Sequence, residues 1–281
     1  MVRWAALGVV LAALGPAASA AHASERVAAL QVALRAKGAY SGTVDGIAGP
    51  GTKAGVQAFQ SRRGLVADGV AGPRTRRALG WRGRPRLGSR PVTAGRRGWD
   101  VAALQFLLAR AGFPSGSFDG RAGPRFGDAL RRYQAWAGLG ADGVAGPLTI
   151  SRLRRAPPRS PLRFLSPVAV GIGDSYGPRG DRMHTGVDFP AAAGARIGAA
   201  GRGCVSSAGY NDGYGQLVVV SHRLGVTTWY AHLSRITVRP GECLAAGERL
   251  GLVGSTGNST GPHLHFEVRV RGATTDPRYA L

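Results

Sequence analysis

Residues 254–270 read GSTGNSTGPHLHFEVRV, a glycine-rich turn that runs into a segment of alternating apolar and polar residues. Successive side chains of a β-strand point to opposite faces of a sheet, so the alternation predicts a strand with one buried face. The core face would carry Leu264, Phe266, Val268 and Val270, and the polar face His263, His265, Glu267 and Arg269. Two imidazoles on one polar face are poor core material, so this strand predicts a metal or catalytic site.

The region around this strand has the composition of a β-domain. From about residue 162 onward, segments rich in β-branched and aromatic residues, such as LVVV (217–220) and TTWY (227–230), lie between glycine-rich turns. These segments predict a mainly antiparallel sheet. The chain has six histidines, and five of them lie in this region, namely His184, His222, His232, His263 and His265. This concentration is the main functional signal of the sequence.

An imidazole and a carboxylate precede the strand in the segment HTGVDFP (184–190), whose glycine and proline predict a turn that enters a strand. Two histidines and one aspartate, with water as the fourth ligand, form a zinc site of the catalytic type. His184 and Asp188 supply two of these ligands, and the spacing leaves open whether His263 or His265 supplies the third. The other of the pair, together with His232, would then take up and deliver protons.

The two remaining histidine segments have different interpretations. Alternation places His232, in YAHLS (230–234), on the face opposite Trp229 and Leu233. His222 precedes a glycine turn, which favours a structural role. The segment YNDGYG (210–215) is either a wall of the substrate groove or a structural loop.

Three motifs of this region resemble those of the lysostaphin/LytM-type zinc metallopeptidases. They are HTGVD (184–188), YAHLS (230–234) and GSTGNSTGPHLHFE (254–267), and the resemblance spans about residues 165–281. It implies that Zn²⁺ is held by His184, Asp188 and His265. It also implies that His232 and His263 are the catalytic histidines, acting as general base and transition-state stabilisers.

Some members of that family carry an assisting tyrosine upstream of the first metal ligand. In this chain the segment YGPR (176–179) brings Arg179 near that place. Arg179 is therefore a candidate to steady an oxyanion or a substrate carboxylate.

The first half of the chain contains a duplication with a constant offset of 74 residues. The segment VAALQ occurs at 27–31 and 101–105, and each copy contains two loops of the form DGxAGP. Periodic apolar segments and prolines that follow glycine turns predict three short helices per copy. The loop aspartates Asp45, Asp68, Asp119 and Asp142 are interpreted as turn and cap residues. The copies resemble the peptidoglycan-binding domain 1 family, which implies binding to bacterial peptidoglycan.

The sequence thus predicts a multidomain protein with two small three-helix all-α modules followed by a mainly antiparallel β metallopeptidase domain. The expected boundaries are 25–80 and 98–155 for the modules and 162–281 for the metallopeptidase domain. A solvated Arg/Gly/Pro linker (81–97) separates the modules, and a proline-rich linker (156–161) follows them. The sequence does not determine the oligomeric state, and we expect a monomer.

The chain of 281 residues is strongly basic, with 37 Lys and Arg, 15 Asp and Glu and a formal net charge of +22. Most of this charge belongs to the repeats and linkers. No nucleic-acid motif accompanies the charge, so we expect no nucleic-acid partner. Anionic wall polymers or the carboxylates of peptidoglycan are the expected partners, attracted in part over long range.

The first residues decide the expected compartment. Residues 1–20 have the basic start, short apolar run and small-residue cleavage site of a secretory signal peptide, with a second candidate cleavage site after Ala23. The apolar run is shorter than a membrane-spanning helix, so we expect a secreted protein associated with the cell wall, without stable membrane insertion. In an oxidising compartment Cys204 and Cys243 would form a disulfide, and the alternative is two separate buried thiols.

The leading functional hypothesis is a secreted zinc endopeptidase that hydrolyses peptide bonds in peptidoglycan cross-links or stem peptides. The two modules would hold it on the wall and raise the local substrate concentration. One alternative is a non-catalytic or autoinhibited peptidoglycan-binding or regulatory protein. Another is an amidase or D-Ala carboxypeptidase that uses the same metal chemistry.

Overall fold

The structure, a computed structural model, describes residues 23–281, and the expected signal peptide therefore lies outside the described residues. Six α-helices come first, in two groups of three that start at positions related by the repeat offset. Their bounds are Glu25–Arg35 (α1), Pro50–Arg62 (α2), Pro73–Ala78 (α3), Trp99–Arg110 (α4), Pro124–Trp136 (α5) and Pro147–Leu153 (α6). Helices α2, α3, α5 and α6 all begin with proline after a glycine N-cap. Proline suits this position because its fixed φ matches a helix and its missing N–H would have no intrahelical partner.

Four buried glutamines brace the DGxAGP loops of the two modules. In each brace the glutamine amide donates to the loop aspartate and its oxygen accepts the N–H of the following glycine; the pairs are Gln31–Asp45, Gln60–Asp68, Gln105–Asp119 and Gln134–Asp142. Each aspartate also accepts the backbone N–H two residues later. The aspartates therefore perform the turn chemistry that their sequence context predicts.

The two modules pack against each other through α1 and α4. A single cluster of buried side chains includes Ala28, Val32 and Leu34 of α1 together with Trp99 and Phe106 of α4. The two modules thus share part of one hydrophobic core, which favours a fixed relative arrangement over two domains that move independently.

The segment 81–97 differs from the solvated linker expected of it. Val92 is fully buried, and its backbone pairs with that of Ala145 in the second module. Arg90 donates from Nε to Asp100 Oδ2 over 2.8 Å, and that carboxylate is buried. A buried carboxylate requires a cationic partner, so this part of the segment is held against the second module despite its arginine and glycine content.

The C-terminal part is a β-domain whose strand pairings are all antiparallel. Its strands are Gly177–Arg179 (β1), Arg182–His184 (β2), Val187–Phe189 (β3), Arg196–Gly198 (β4), Gly203–Asn211 (β5), Gly215–Ser221 (β6), Val226–Ile236 (β7), Cys243–Leu244 (β8), Arg249–Val253 (β9), Leu264–Val270 (β10) and Ala273–Thr275 (β11). Nine strands form one sheet with the central order β11-β10-β7-β6-β5-β8, while β1 and β2 form a separate hairpin. The predicted fold class, helical modules followed by an antiparallel β-domain, is confirmed.

One face of this sheet covers the main core, which includes Val218, Tyr230, Leu264, Phe266 and Val268. The side chains of β10 alternate as the sequence predicts, because His265, Glu267 and Arg269 lie on the opposite face. The predicted disulfide is also confirmed, since Cys204 of β5 and Cys243 of β8 are bonded and directly opposite in register. None of the helices among residues 23–281 is long and apolar enough to cross a membrane.

Candidate active site

Three elements bring together an imidazole, a carboxylate and a second imidazole. Strand β3 pairs with β10, and this register sets Asp188 directly opposite His265. His184 is the last residue of β2 and reaches the same point from the separate hairpin. Asp188 Oδ1 lies 3.0 Å from His184 Nε2 and 2.8 Å from His265 Nδ1, and the two nitrogens are 3.1 Å apart.

The outer nitrogens of both imidazoles face groups that can only accept a hydrogen bond. His184 Nδ1 lies 2.9 Å from the carbonyl oxygen of Ser175, and His265 Nε2 lies 3.1 Å from Glu267 Oε1. Each outer nitrogen is therefore assigned as the N–H donor, and each inner nitrogen carries a lone pair in the neutral ring. Two lone pairs and a carboxylate oxygen thus converge within 4.8 Å, which fits a bound metal cation.

The pKa shifts of the cluster also favour a bound cation. Burial raises the pKa of Asp188, but in the metal-free cluster the contacts with the His184 and His265 rings and the positive charge of a protonated ring outweigh burial and hold this pKa well below its ordinary value. Burial lowers the pKa of His265, but its bonds to Asp188 and Glu267 and their negative charges raise it to about 9. The site therefore attracts a cation, either a proton or a metal ion.

Glu267 stands behind His265 at the centre of a buried polar network. Its carboxylate accepts the His265 Nε2–H, the hydroxyl of Thr185, the hydroxyl of Tyr214 at 3.0 Å and the Arg269 Nε–H at 2.6 Å. Burial raises the pKa of Glu267, but the charge of Arg269 and the bond from His265 lower it to about 2. The carboxylate is therefore ionised at neutral pH and fixes both the ring orientation and the tautomer of His265.

The alternation in β10 predicts the sheet face of Glu267 and Arg269 correctly but assigns neither residue a role. Their shared face with His265 was the available signal. Tyr214 carried no such signal, because it reaches the network from a short 3₁₀ segment that is far away in the chain. The guanidinium group of Arg269 also lies over the ring of Trp229, with its central carbon 3.5 Å from the ring centroid.

We expect Glu267→Gln to weaken metal binding roughly 10–100-fold, the usual effect of losing an outer partner of a ligating histidine. The amide keeps the shape but removes the charge that holds the His265 N–H and balances Arg269. Competition with a chromogenic chelator measures the change. Glu248→Gln is the matched control, because Glu248 is exposed and bonds only a nearby loop N–H. Equal affinities for the wild-type and Glu267→Gln proteins would contradict this role for Glu267.

His232 and His263 line the same groove beside His184, Asp188 and His265. Each ring directs Nδ1 to a backbone carbonyl, at 2.7 Å from Thr256 for His232 and 2.8 Å from Gly261 for His263. Each Nε2 consequently carries the lone pair in the neutral ring. The ring centroids of the two histidines are 4.7 Å apart, and His263 Nε2 lies 3.9 Å from Asp188 Oδ1.

Burial lowers the pKa of His232, and the bond to the Thr256 carbonyl opposes this shift without reversing it. The ring is therefore neutral at physiological pH and can accept a proton. Its bond to Thr256 holds it in one tautomer. This is the arrangement that proton transfer at Nε2 requires.

The predicted face of His232 relative to Trp229 is wrong. Trp229 and Ala231 lie on the same sheet face as Glu267 and His265, their register partners, whereas Leu233 packs into the main core. His232 has a φ of 65°, in the left-handed region, and this reverses the alternation so that its ring also reaches the groove. A non-glycine residue in this region costs about 1–3 kcal/mol, and such strain is found at functional sites. Simple alternation cannot predict a reversal of this kind.

Arg179 lies at the groove beside Asp188. Its Nη2 donates to Asp188 Oδ2 over 2.9 Å and is 3.0 Å from Asp174 Oδ2. The guanidinium thus holds the carboxylate oxygen of Asp188 that points away from the two imidazoles. Tyr176 does not line the groove, and its hydroxyl donates to the carbonyl of Thr274. Burial raises the pKa of this hydroxyl to about 12.

His222 stands apart from this site and packs in the β-domain. Its ring nitrogens bond the Arg202 carbonyl and the Thr228 hydroxyl, and its ring packs on Phe164. This environment agrees with a structural role.

Four histidines and one aspartate line a groove of about 660 Å³, namely His184, Asp188, His232, His263 and His265. Every residue that lines it falls between Gly173 and His265, so the helical modules supply none of its walls. Gly213 and Tyr214 form part of one wall, which supports the groove interpretation for that end of the segment 210–215. The modules leave the groove open in this structure.

A chain with two helical repeats and an antiparallel β-domain that presents a His-Asp-His cluster has the organisation of a modular metallopeptidase. Residues 182–277 match Peptidase family M23, and residues 23–79 and 97–153 both match the PG_binding_1 family of peptidoglycan binding domains. The chain therefore contains an M23 peptidase domain preceded by two PG_binding_1 domains.

Curated relatives match the peptidase part of the chain. DD-carboxypeptidase/endopeptidase Mpg of Neisseria meningitidis serogroup B is 45% identical over 96 residues, which are 34% of this chain and 22% of that protein. Peptidoglycan DD-endopeptidase ShyC of Vibrio cholerae is 37% identical over 133 residues, which are 45% of this chain and 30% of that protein. The chain thus spans less than a third of the length of either relative.

Solved structures also resemble the β-domain. The catalytic domain of lysostaphin from Staphylococcus simulans is 34% identical, with a TM-score of 0.37, and the match covers 39% of this chain and 90% of that domain. A zinc containing peptidase from Vibrio cholerae is 33% identical, with a TM-score of 0.34, over 44% of this chain and 40% of that one.

Proposed function

We propose that this protein is a secreted zinc-dependent endopeptidase that hydrolyses peptide bonds in bacterial peptidoglycan. Its peptidase domain would occupy residues 162–281, and the modules at 25–80 and 98–155 would hold it on the wall. The observation that carries the proposal is the convergence of two imidazole lone pairs and a carboxylate beside two further histidines in one open groove. The names of the relatives Mpg and ShyC support peptide bonds of peptidoglycan as the substrate.

We assign the metal ligands as His184, Asp188 and His265, because their donor atoms converge. Nitrogen ligands together with one carboxylate suit zinc and leave room for a further ligand. When bound, zinc would polarise the scissile carbonyl and lower the pKa of a water molecule. Glu267 would keep His265 in the ligating tautomer, and Arg179 would hold the second oxygen of Asp188.

His232 and His263 are the proposed catalytic residues. Both rings are fixed through Nδ1, which leaves the Nε2 lone pair available, and both residues line the groove. One Nε2 would take a proton from the attacking water, and the protonated ring would stabilise the developing negative charge or deliver the proton to the leaving amine. The lowered pKa of His232 keeps its Nε2 unprotonated and therefore free to take a proton.

The repeats supply the wall-binding part of the proposal. They match a peptidoglycan-binding family, and the chain carries a net charge of +22. Peptidoglycan stem peptides and anionic wall polymers are negatively charged, so attraction would concentrate the enzyme on its substrate. Such a protein would act outside the cytoplasm, at the cell wall.

The test is incubation of the protein with purified sacculi, with and without a zinc chelator, followed by mass spectrometry of the released fragments. We expect new amine termini within the cross-linked peptides, abolished by the chelator and restored by added Zn²⁺. Release of single terminal D-Ala residues instead would identify a carboxypeptidase. Protein that sediments with the sacculi but releases nothing would indicate a binding or regulatory protein.

A further inference from the structure

The hairpin that carries His184 has no strand pairing with the main sheet. Strands β1 and β2 pair only with each other, and they are joined by the two-residue turn Gly180-Asp181. A lone two-stranded hairpin is at best marginally stable in water. Asp188 and His265, in contrast, lie on strands of the nine-stranded sheet. Of the three proposed ligands, His184 is therefore the one whose strand lies outside that sheet.

The tip of this hairpin is held by both helical modules at once. The backbone N–H of Val44 donates to the carbonyl of Gly180 over 2.8 Å, and that of Phe118 donates to the carbonyl of Asp181 over 2.6 Å. Val44 and Phe118 are equivalent positions of the repeat, separated by its offset of 74 residues. Each copy of the repeat thus satisfies one of the two carbonyls of the turn.

Apolar packing adds to these two hydrogen bonds. Met183, the neighbour of His184 in β2, packs against the buried cluster that α1 and α4 share. The strand of His265 also contacts a module, because the Trp136 indole N–H donates to the carbonyl of Val270 over 3.1 Å. Next to it, the Thr274 N–H of β11 donates to the carbonyl of Gly112 over 3.1 Å.

The hairpin connects these contacts directly to the candidate metal site. His184 ends β2, and Arg179 ends β1 and donates to Asp188 Oδ2. A shift of the hairpin would therefore move one ligand and the cation that orients another. Geometric precision matters at such a site, since losing an outer support of a ligand commonly weakens metal binding 10–100-fold.

We propose that the tandem modules act as a repeat clamp that positions His184 and Arg179 for metal binding. The repeat clamp consists of the backbone N–H groups of Val44 and Phe118 and the apolar surface that receives Met183. The proposal rests on the proposed metal site, and it gives the duplicated modules a second role besides wall binding. Val44, Phe118 and Met183 are positioning residues that act through the hairpin.

The test uses the full chain with the substitution Met183→Asp, which places a charge in the apolar contact and leaves every proposed ligand intact. Zn²⁺ affinity is measured by chelator competition, and hairpin protection by hydrogen exchange with mass spectrometry. We expect roughly tenfold weaker Zn²⁺ binding and faster exchange in residues 177–184. Leu148→Asp is the matched control, because Leu148 is 61% exposed on the second module, and it should change neither quantity.

Zn²⁺ affinity within twofold of wild type in folded Met183→Asp would overturn the repeat clamp, whatever the exchange rates. If Met183→Asp fails to fold, Met183→Ala decides the question, with a smaller loss of affinity expected and an unchanged affinity overturning the proposal. Both readouts are taken without substrate. A failure of the repeat clamp is therefore distinguishable from a failure of the proposed hydrolysis, which the sacculus assay tests.

Discussion

Replacing His265 with alanine should abolish both zinc retention and peptide hydrolysis. His265 Nδ1 lies 2.8 Å from Asp188 Oδ1 and 3.1 Å from His184 Nε2, so the substitution removes one of three converging donors. It also leaves Glu267 without the N–H that it accepts from the ring. Because the lost group is itself a proposed ligand, we expect a larger fall in Zn²⁺ affinity than the roughly 10–100-fold typical of outer partners.

The measurement combines metal content after dialysis with fragment release from sacculi. His222→Ala is the matched control, because this histidine lies in the same domain and bonds a backbone carbonyl and a threonine hydroxyl away from the groove. The control should retain zinc and activity. Stoichiometric zinc in folded His265→Ala would remove His265 from the ligand set and leave the pair His184 and Asp188 in need of another partner.

The candidate site could be predicted from the sequence to the extent that it depends on local patterns. The alternation in HLHFEVRV places His265 and Glu267 on one face whatever the rest of the fold does, and the structure has that alternation. The choice between His263 and His265 as ligand did not follow from spacing. The resemblance to the metallopeptidase family supplied it. The register of β3, which sets Asp188 opposite His265, agrees with that choice, but the register between two distant segments cannot be predicted from either segment alone.

The fold was predictable for a similar reason. The repeat offset and the prolines after glycine turns are local signals, and the helices begin where these signals predict. The segment 81–97 was not predictable from composition, because its arginine and glycine content conceals one buried valine and one buried ion pair. Tertiary contacts of this kind override local composition, and the contact of both modules with the hairpin tip is another example.

The left-handed backbone at His232 is the clearest example of a feature that sequence patterns do not predict. A period of two places this ring in the core, beside Tyr230, and only the φ of 65° directs it to the groove. The neighbours of His232 are anchored on both sides, with Tyr230 and Leu233 fully buried in the main core. The surrounding packing therefore holds a conformation that the isolated segment would avoid, and this favours a functional reason for it.

Replacing His263 with alanine should separate catalysis from metal binding. The three ligand atoms converge without His263, whose Nε2 lies 3.9 Å from Asp188 Oδ1 and whose Nδ1 donates to the carbonyl of Gly261. We expect zinc affinity to stay within a few-fold of wild type, while hydrolysis falls about 10²–10⁴-fold, the usual contribution of a positioned acid or base. Metal content and the rate of fragment release are measured on the same preparation.

Ser259→Ala provides the graded comparison for this prediction. Its hydroxyl lies 3.3 Å from His263 Nδ1, beside the stronger bond from that nitrogen to the Gly261 carbonyl. Removing it should loosen the ring without removing Nε2, and we expect a rate loss well below that of His263→Ala. Loss of zinc from His263→Ala would make His263 a ligand, and full activity with bound zinc would leave His232 as the single histidine available for proton transfer. The proposed assignment of two histidines as ligands and two as catalytic residues is therefore tested by this one substitution. It requires that the hydrolysis rate of His263→Ala falls while its metal content stays unchanged.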